Sequence, residues 1–172
     1  MAKKGKFTDP RDGQVYKTVK IGNQIWMAKN LNYTIDNEIG CYYENDEKYK
    51  KYGRLYDWTE AMCISPPGWH LPTNKEWDEL IKFVGGKDIA EKYLKSKSRW
   101  NKDGNGTDDF SFSALPGGYG NSNGYFYYVG INGCWWSAEE SDAENAWYWN
   151  MHYDISYVDR NNIGKSYLFS IR

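Results

Sequence analysis

Residues 147–172 read WYWNMHYDISYVDRNNIGKSYLFSIR. Bulky apolar residues recur at Trp147, Trp149 and Met151, with Tyr148, Asn150 and His152 between them. A period of two marks a strand with one buried face. Trp147, Trp149 and Met151 are therefore expected to anchor a strand inward. Tyr, Asn, Asp, His, Ser and Ile crowd the other positions. The stretch reaches Arg172 with no tail beyond it, so it is expected to be tied into the fold.

Working outward, Glu139 to Asn145 reads as an acidic loop, and Cys134-Trp135-Trp136-Ser137 as a buried strand. Gly130 to Gly133 is a turn and Tyr125 to Val129 a strand. Asn121-Ser122-Asn123-Gly124 is a second turn. Ala114 to Tyr119, with Pro116, Gly117 and Gly118, is a tight backbone-driven segment. Asn101 to Asp109 is rich in Asn, Asp and Gly, and helical periodicity stops before it. Several short strands separated by turns argue for an antiparallel, loop-rich second half.

The first half carries the helices. Thr73 with Glu76 three residues on is a capping box. Trp77, Leu80, Ile81 and Val84 follow at helical spacing, one buried stripe. Gly85-Gly86 ends that helix. A shorter helix is expected over Asp88 to Leu94, with Ile89, Tyr93 and Leu94 inward. Leu55 to Cys63 is also read as helical, with Leu55, Trp58 and Met62 on one face, ended by Pro66-Pro67-Gly68. Tyr42 to Tyr52 is read as a surface loop and Asn30 to Tyr33 as irregular. At the N-terminus, Thr8 to Gly13 is a turn. Val15 to Ile21 and Gln24 to Met27 form a hairpin around Gly22-Asn23, with Val15, Val19 and Ile21 on one face. Residues 1–6 are expected to be disordered or foreign to the natural chain. The length of 172 residues and the absence of a linker or repeat give a single domain over 1–172. The fold class is α+β.

Composition narrows the function. There are 22 basic and 23 acidic residues, a net charge of -1, which is not a footprint for nucleic acid or an anionic membrane. No apolar run is long enough to span a membrane, and no secretory leader is visible. Nine Trp and 16 Tyr exceed what a core alone explains. Exposed Tyr with Asn, Ser and Gly is the chemistry of adaptable binding surfaces. Cys41, Cys63 and Cys134 match no metal pattern; a Cys41–Cys63 disulfide or free buried thiols remain open. Asp103, Asn105 and Asp108 are the candidate metal ligands, with calcium as the candidate cofactor. Position twelve counted from Asp103 is Ala114, so this is no EF-hand, and Asx turns are the alternative reading. His70 is read as structural, His152 has no nucleophile motif beside it, and the adjacent carboxylates Glu139/Glu140 and Asp108/Asp109 do not face each other. No catalytic residue is assigned.

Five ordered segments carry a resemblance: IGNQIWMAKNLNY at 21–33, YGRLYDWTEAM at 52–62, PPGWHLPTNKEWDEL at 66–80, FSALPGGY at 112–119 and GCWWSAEE at 133–140. Together they resemble the Fibrobacter succinogenes major paralogous domain, from about Phe7 to Arg172. The resemblance implies a C-type lectin-like fold of the formylglycine-generating-enzyme branch. In such a fold two or three helices pack on small twisted antiparallel sheets with long irregular loops. Those enzymes rely on a reactive cysteine pair, and here only Cys134 lies in the corresponding region, so that activity is not carried over. The chain ends at Ser170-Ile171-Arg172 where relatives often carry a Cys-Val-Arg-Asp-like tail, so no disulfide from such a tail is expected. Neither a Glu-Pro-Asn nor a Gln-Pro-Asp calcium motif of sugar-binding lectins is present.

A second resemblance concerns the end of the chain. Variable proteins of diversity-generating retroelements use this fold and vary near the C-terminus through adenine mutagenesis. Codons such as AAC then yield Asn, Tyr, Asp, His, Ser and Ile. The resemblance implies ligand contacts at Tyr148, Asn150, His152, Asp154, Ile155, Tyr157, Asp159, Asn161, Asn162, Ile163 and Tyr167. The expected function is a non-catalytic ligand-binding module of receptor or adhesin type, with a protein or glycan on a cell surface as partner. The location implied is extracellular, on a cell surface or a phage particle. Two alternatives stand beside it: an enzyme related to formylglycine-generating proteins, which needs a deep pocket, and a structural cell-surface module.

Overall fold

The computed structural model describes residues 3–36 and 38–172. Three antiparallel sheets and three short helices make an α+β domain. The first sheet is β1 (Lys3–Thr8), β2 (Val15–Ile21) and β3 (Gln24–Met27), in that order. Strand β1 replaces the disordered lead expected for residues 3–6. Residues 1–2 lie outside the described residues. The hairpin β2–β3 turns at Gly22-Asn23, where Gly22 has φ +58°. Val19 and Ile21 are buried, but Val15 is 50% exposed. It pairs with Thr8 at the end of the β1–β2 ladder, where no core lies beneath it.

Helix α1 (Trp58–Cys63) starts three residues later than the expected segment, because Asp57 caps it in a box with Glu60. Leu55 instead bridges to Cys41 in extended backbone, and Met62 is 45% exposed. Helix α2 (Asn74–Phe83) follows the expected reading. Thr73 and Glu76 form the capping box, and Trp77, Leu80, Ile81 and Val84 are all buried. Gly85 and Gly86 take positive φ and close it. Helix α3 (Lys87–Leu94) buries Ala90, Glu91 and Leu94, leaving Ile89 41% exposed and Tyr93 half-buried. The short helix turns its small residue inward, where Ile89 was expected.

Tyr42 to Tyr52 is not a surface loop. Two 3-10 turns, Tyr43–Asn45 and Glu47–Tyr52, fold its aromatics inward, and Tyr42, Tyr43 and Tyr52 are buried. The 125–129 strand shrinks to β5 (Phe126–Tyr127), paired with β4 (Tyr119–Gly120).

The last sheet is β6 (Asn132–Glu140), β7 (Asn145–His152) and β8 (Asp159–Gly164). It separates two apolar clusters. Trp135, Trp149 and Met151 enter the first, with Trp26, Trp77 and Phe112. Cys134, Trp136 and Ala146 enter the second, with Tyr56, Trp58 and Phe169. Adjacent residues on a strand point to opposite faces, so Trp135 and Trp136 fill different cores. Trp149 and Met151 are fully buried as expected, whereas Trp147 is half-buried beneath the Arg160 guanidinium, 5.2 Å from its ring. Beyond β8 the chain returns inward. Ser170 accepts from Trp136 N and donates to Cys134 O, and Arg172 is 4% exposed.

A buried ion pair pins the turn before β2. The Asp9 carboxylate accepts from the Arg11 backbone N–H (3.0 Å) and from Arg11 Nε and Nη2 (2.9 and 2.7 Å), while Arg11 Nη1 donates to Ile64 O (2.8 Å). Burial pushes the Asp9 carboxyl up. Hydrogen bonds and charge from Arg11 outweigh burial and hold it below the ordinary value. A folded pKa below the unfolded one stabilises above about pH 4 and is lost as pH falls through the folded value. Asp9→Asn is therefore expected to flatten the fall of Tm between pH 5 and 2.5. An unchanged acid limb would refute the assignment.

Candidate functional site

Strand register decides which C-terminal residues share a face. In β6–β7, Asn132 is opposite His152, Cys134 opposite Asn150 and Trp136 opposite Tyr148. In β7–β8, Tyr148 is opposite Asn161, Asn150 opposite Asp159 and Ala146 opposite Ile163. Directly paired residues lie on the same side. Tyr148, Asn150, His152, Asp159, Asn161 and Ile163 therefore form one face, the face of the second core. Asn162 pairs with Trp147 and lies on the other face, so it is not part of this group.

Tyr167 reaches this side through aromatic contacts. Its ring is 6.2 Å from Tyr119 and 6.4 Å from Phe169. The Tyr148 ring packs at a tilt 4.6 Å from that of Phe169, which is buried. Tyr119 in turn touches Tyr127 and Tyr128 at 5.6 and 5.8 Å. A tyrosine belt thus runs from the exposed Tyr128 to the half-buried Tyr148. Tyr119, Tyr127 and Tyr128 were not among the expected contacts. Their signal was the run GYGNSNGYFYY at 118–128, which read as turn and strand rather than as a surface.

Tyr148 was expected to be an exposed contact. It is half-buried against Trp136 and Phe169, because even-numbered β7 residues also face a core. Burial pushes its hydroxyl up to about 12. Asn161 is exposed and donates to Asp159 Oδ2 (2.8 Å). Asp159, Asn150, His152, Ile163 and Tyr167 are half-buried. The face is a mixed surface of ring edges, amides and one carboxylate.

Asp154, Ile155 and Tyr157 stand apart, on the crest joining β7 to β8, and all three are exposed. The crest is pinned at its ends. Tyr153 N donates to Ile131 O (2.9 Å) and Val158 is buried in the first core. The Lys95 ammonium, itself buried and paired with Glu91, donates to His152 O. The His152 imidazole lies against the Asp154 carboxylate.

In the Asp103–Asp109 loop two of the three expected ligands have partners within the chain. Asp108 accepts from Ser113 N–H and Oγ (both 2.7 Å), and Asn105 Oδ1 accepts from Trp100 N (3.1 Å). These oxygens cap turns of their own chain. Among the described residues, no group of three His, Cys, Asp or Glu side chains is arranged to hold a metal. EDTA is expected to leave Tm unchanged; a drop of several degrees, restored by calcium, would overturn this reading of the loop.

The three cysteines are free thiols. Cys134 is buried, which pushes its thiol up to about 12, and burial pushes Cys41 up to about 11. Cys63, expected to be buried if free, is exposed. Among the described residues, no helix is long and apolar enough to cross a membrane.

A family model described as the Fibrobacter succinogenes major domain matches residues 19–172. The chain belongs to this family. No curated protein and no solved structure matches it. For this Fibrobacter succinogenes major domain, the matched span runs from β2 to the buried Arg172 and contains both apolar clusters' β6–β7 contributions. Strand β1 lies before it.

Proposed function

We propose that this domain is a non-catalytic ligand-binding module with a C-type lectin-like fold. It engages a protein or glycan through the tyrosine belt and the β7–β8 residues beside it on the second-core side of the sheet, with the 154–157 crest as a second edge. One observation carries the reading. Tyr148, Asn150, His152, Asp159, Asn161 and Ile163 come from two strands and fall on one face of one sheet, beside tyrosines from a distant segment. Rigid Tyr rings supply contact area at low entropy cost, and short amides adapt around them. The same positions hold residue types that adenine mutagenesis yields, which supports a retroelement-diversified surface on a cell or phage particle. A reverse transcriptase gene with an adenine-rich template repeat nearby is the expected neighbour; a neighbourhood with neither would sink that part. Thiol chemistry of the formylglycine type needs an accessible thiolate, and the upward shift of Cys134 weighs against it.

The test is a glycan and protein array followed by alanine substitution. Asn161→Ala with Tyr128→Ala, both at exposed positions, is expected to weaken the array-identified ligand by about tenfold or more, with Tm held within about 2 °C. Asp154→Ala with Tyr157→Ala tests the crest in the same way. Unchanged affinity in both double variants would refute the surface.

A further inference from the structure

Lys3, Lys4 and Lys6 stand on β1, and Lys17 and Lys20 on β2. The register sets Lys3 directly across from Lys20 and Lys6 directly across from Lys17. Like charges so placed destabilise an antiparallel ladder. No Asp or Glu occurs in β1, β2 or β3. Among the described residues, the lysines paired with carboxylates are Lys48, Lys95 and Lys165, none of them in this sheet. Residues 1–27 hold six basic and two acidic residues, a net +4, inside a chain whose total is -1. Five lysines thus stand on one sheet whose strands carry no carboxylate.

Strand β1 is the edge of that sheet, and it is exposed along nearly its whole length. Among the described residues, its outer edge has no backbone partner. Lysines on an edge strand commonly guard against unwanted pairing. That accounts for Lys3, Lys4 and Lys6. It does not account for Lys17 and Lys20, which lie on the central strand. The distribution over the two faces is also informative. Lys4, Lys6 and Lys17 are on one face, and Lys3 and Lys20 on the other. A flat anionic surface meets only one face of a sheet. An extended strand laid along the edge presents side chains to both.

We propose that the free edge of β1 is a docking site for an extended acidic peptide segment, added as a further strand of this sheet. Its backbone pairs with β1, and its carboxylates on either side relieve the two opposed lysine pairs. Lys3 and Lys6 stand one strand spacing from the added strand, about 5 Å, and Lys17 and Lys20 stand two, about 10 Å, close to the screening length of about 8 Å at physiological salt. The site is on a different sheet from the tyrosine belt, so neither reading depends on the other.

The probe is a fluorescein-labelled synthetic peptide, TEEVEEVT, followed by anisotropy. Its control, PEEPEEPT, keeps the charge and replaces three residues by proline, which removes their backbone N–H donors and disfavours pairing as a strand. TEEVEEVT is expected to bind, to weaken with added salt, and to slow amide exchange along β1. The control is expected to bind about tenfold less tightly. Lys6→Glu is expected to weaken TEEVEEVT about tenfold and to raise Tm by about 1–3 °C, because opposite charges then face each other. Equal binding of both peptides overturns the proposal, as does no binding. Binding of the protein to 3:1 phosphatidylcholine:phosphatidylglycerol vesicles, with neither peptide competing, also overturns it. If Lys6→Glu does not fold, the two peptides against the unaltered protein still decide the question.

Discussion

Replacing Asn30 by Ala is expected to lower the unfolding free energy by about 3–5 kcal/mol. Asn30 is buried and uses all of its hydrogen-bonding capacity. Its carbonyl accepts from Trp135 Nε1 (2.9 Å) and Arg172 Nε (3.2 Å), and its amide donates to Tyr52 O (2.8 Å) and Ser170 Oγ (3.1 Å). One side chain therefore ties β6, the 3-10 turn at Tyr52 and the C-terminal segment together. Arg172 makes the loss severe. Its guanidinium is held by oxygens of Asn30, Phe112 and Ser113 and by the Phe112 ring, 4.4 Å away. Burial lowers its pKa to about 9. Removing one of those oxygens leaves a buried cation less well solvated. Asn30→Asp keeps an acceptor and adds a counter-charge but loses both donors, so it is expected to fall between wild type and Ala. Urea unfolding followed by far-UV circular dichroism checks this, with an unchanged slope showing that stability alone has moved. A cost for Ala below about 1 kcal/mol would show that Asn30 is no hub.

Trp77→Ala is expected to cost about 3–5 kcal/mol. Trp77 is fully buried at the junction of three elements. Its ring lies 5.0 Å from Trp26, 5.9 Å from Trp149, 6.0 Å from Phe112 and 6.1 Å from Trp135. Truncation opens a cavity that four other rings cannot collapse into. Trp77→Phe separates packing from hydrogen bonding. The Trp77 indole N–H is buried without a partner among the described residues, so Phe removes an unpaired donor together with part of a ring and is expected to cost roughly 1–2 kcal/mol. Trp149→Phe is expected to cost more than Trp77→Phe. The Trp149 N–H donates to Asn74 Oδ1 (3.1 Å), and Asn74 is held in turn by Glu139. Melting temperatures of the three variants check the order, and Trp77→Phe proving as damaging as Trp77→Ala would refute the division.

Local patterns in the sequence were sufficient for particular elements. Thr73, Glu76 and the Trp77–Val84 stripe fix α2, because capping and periodicity act within a few residues. Gly22-Asn23 fixes the β2–β3 turn for the same reason. The errors share one cause. Met62, Ile89 and Val15 were placed inward on local spacing, yet each lies where no second layer covers it. Tyr42, Tyr43 and Tyr52 were placed outward by their lysine neighbours, yet the 3-10 turns fold them onto other aromatics.

The candidate site shows the same limit. Residue types around Tyr148 to Tyr167 marked a binding surface, but composition does not assign faces. Register does, and register depends on which strand pairs with which. It groups Asn161 and Asp159 with Tyr148 and Asn150, and removes Asn162. It also reveals that the β6–β7 sheet is covered on both sides, which half-buries Tyr148.

The family membership, the α+β class, α2 and the β2–β3 hairpin were determined by the sequence alone, because each rests on contacts near in the chain or on an ordered set of motifs. The two-sided burial of residues 134–137 and 146–151, the hub at Asn30 and the tyrosine belt were decided only by tertiary structure. They depend on pairings between residues up to 142 positions apart, and no local pattern encodes which distant partner a buried amide or indole N–H will meet. The stretch 147–172 joins the two. Its alternation was legible residue by residue, while the side of the sheet that meets a ligand was set by strands it pairs with elsewhere.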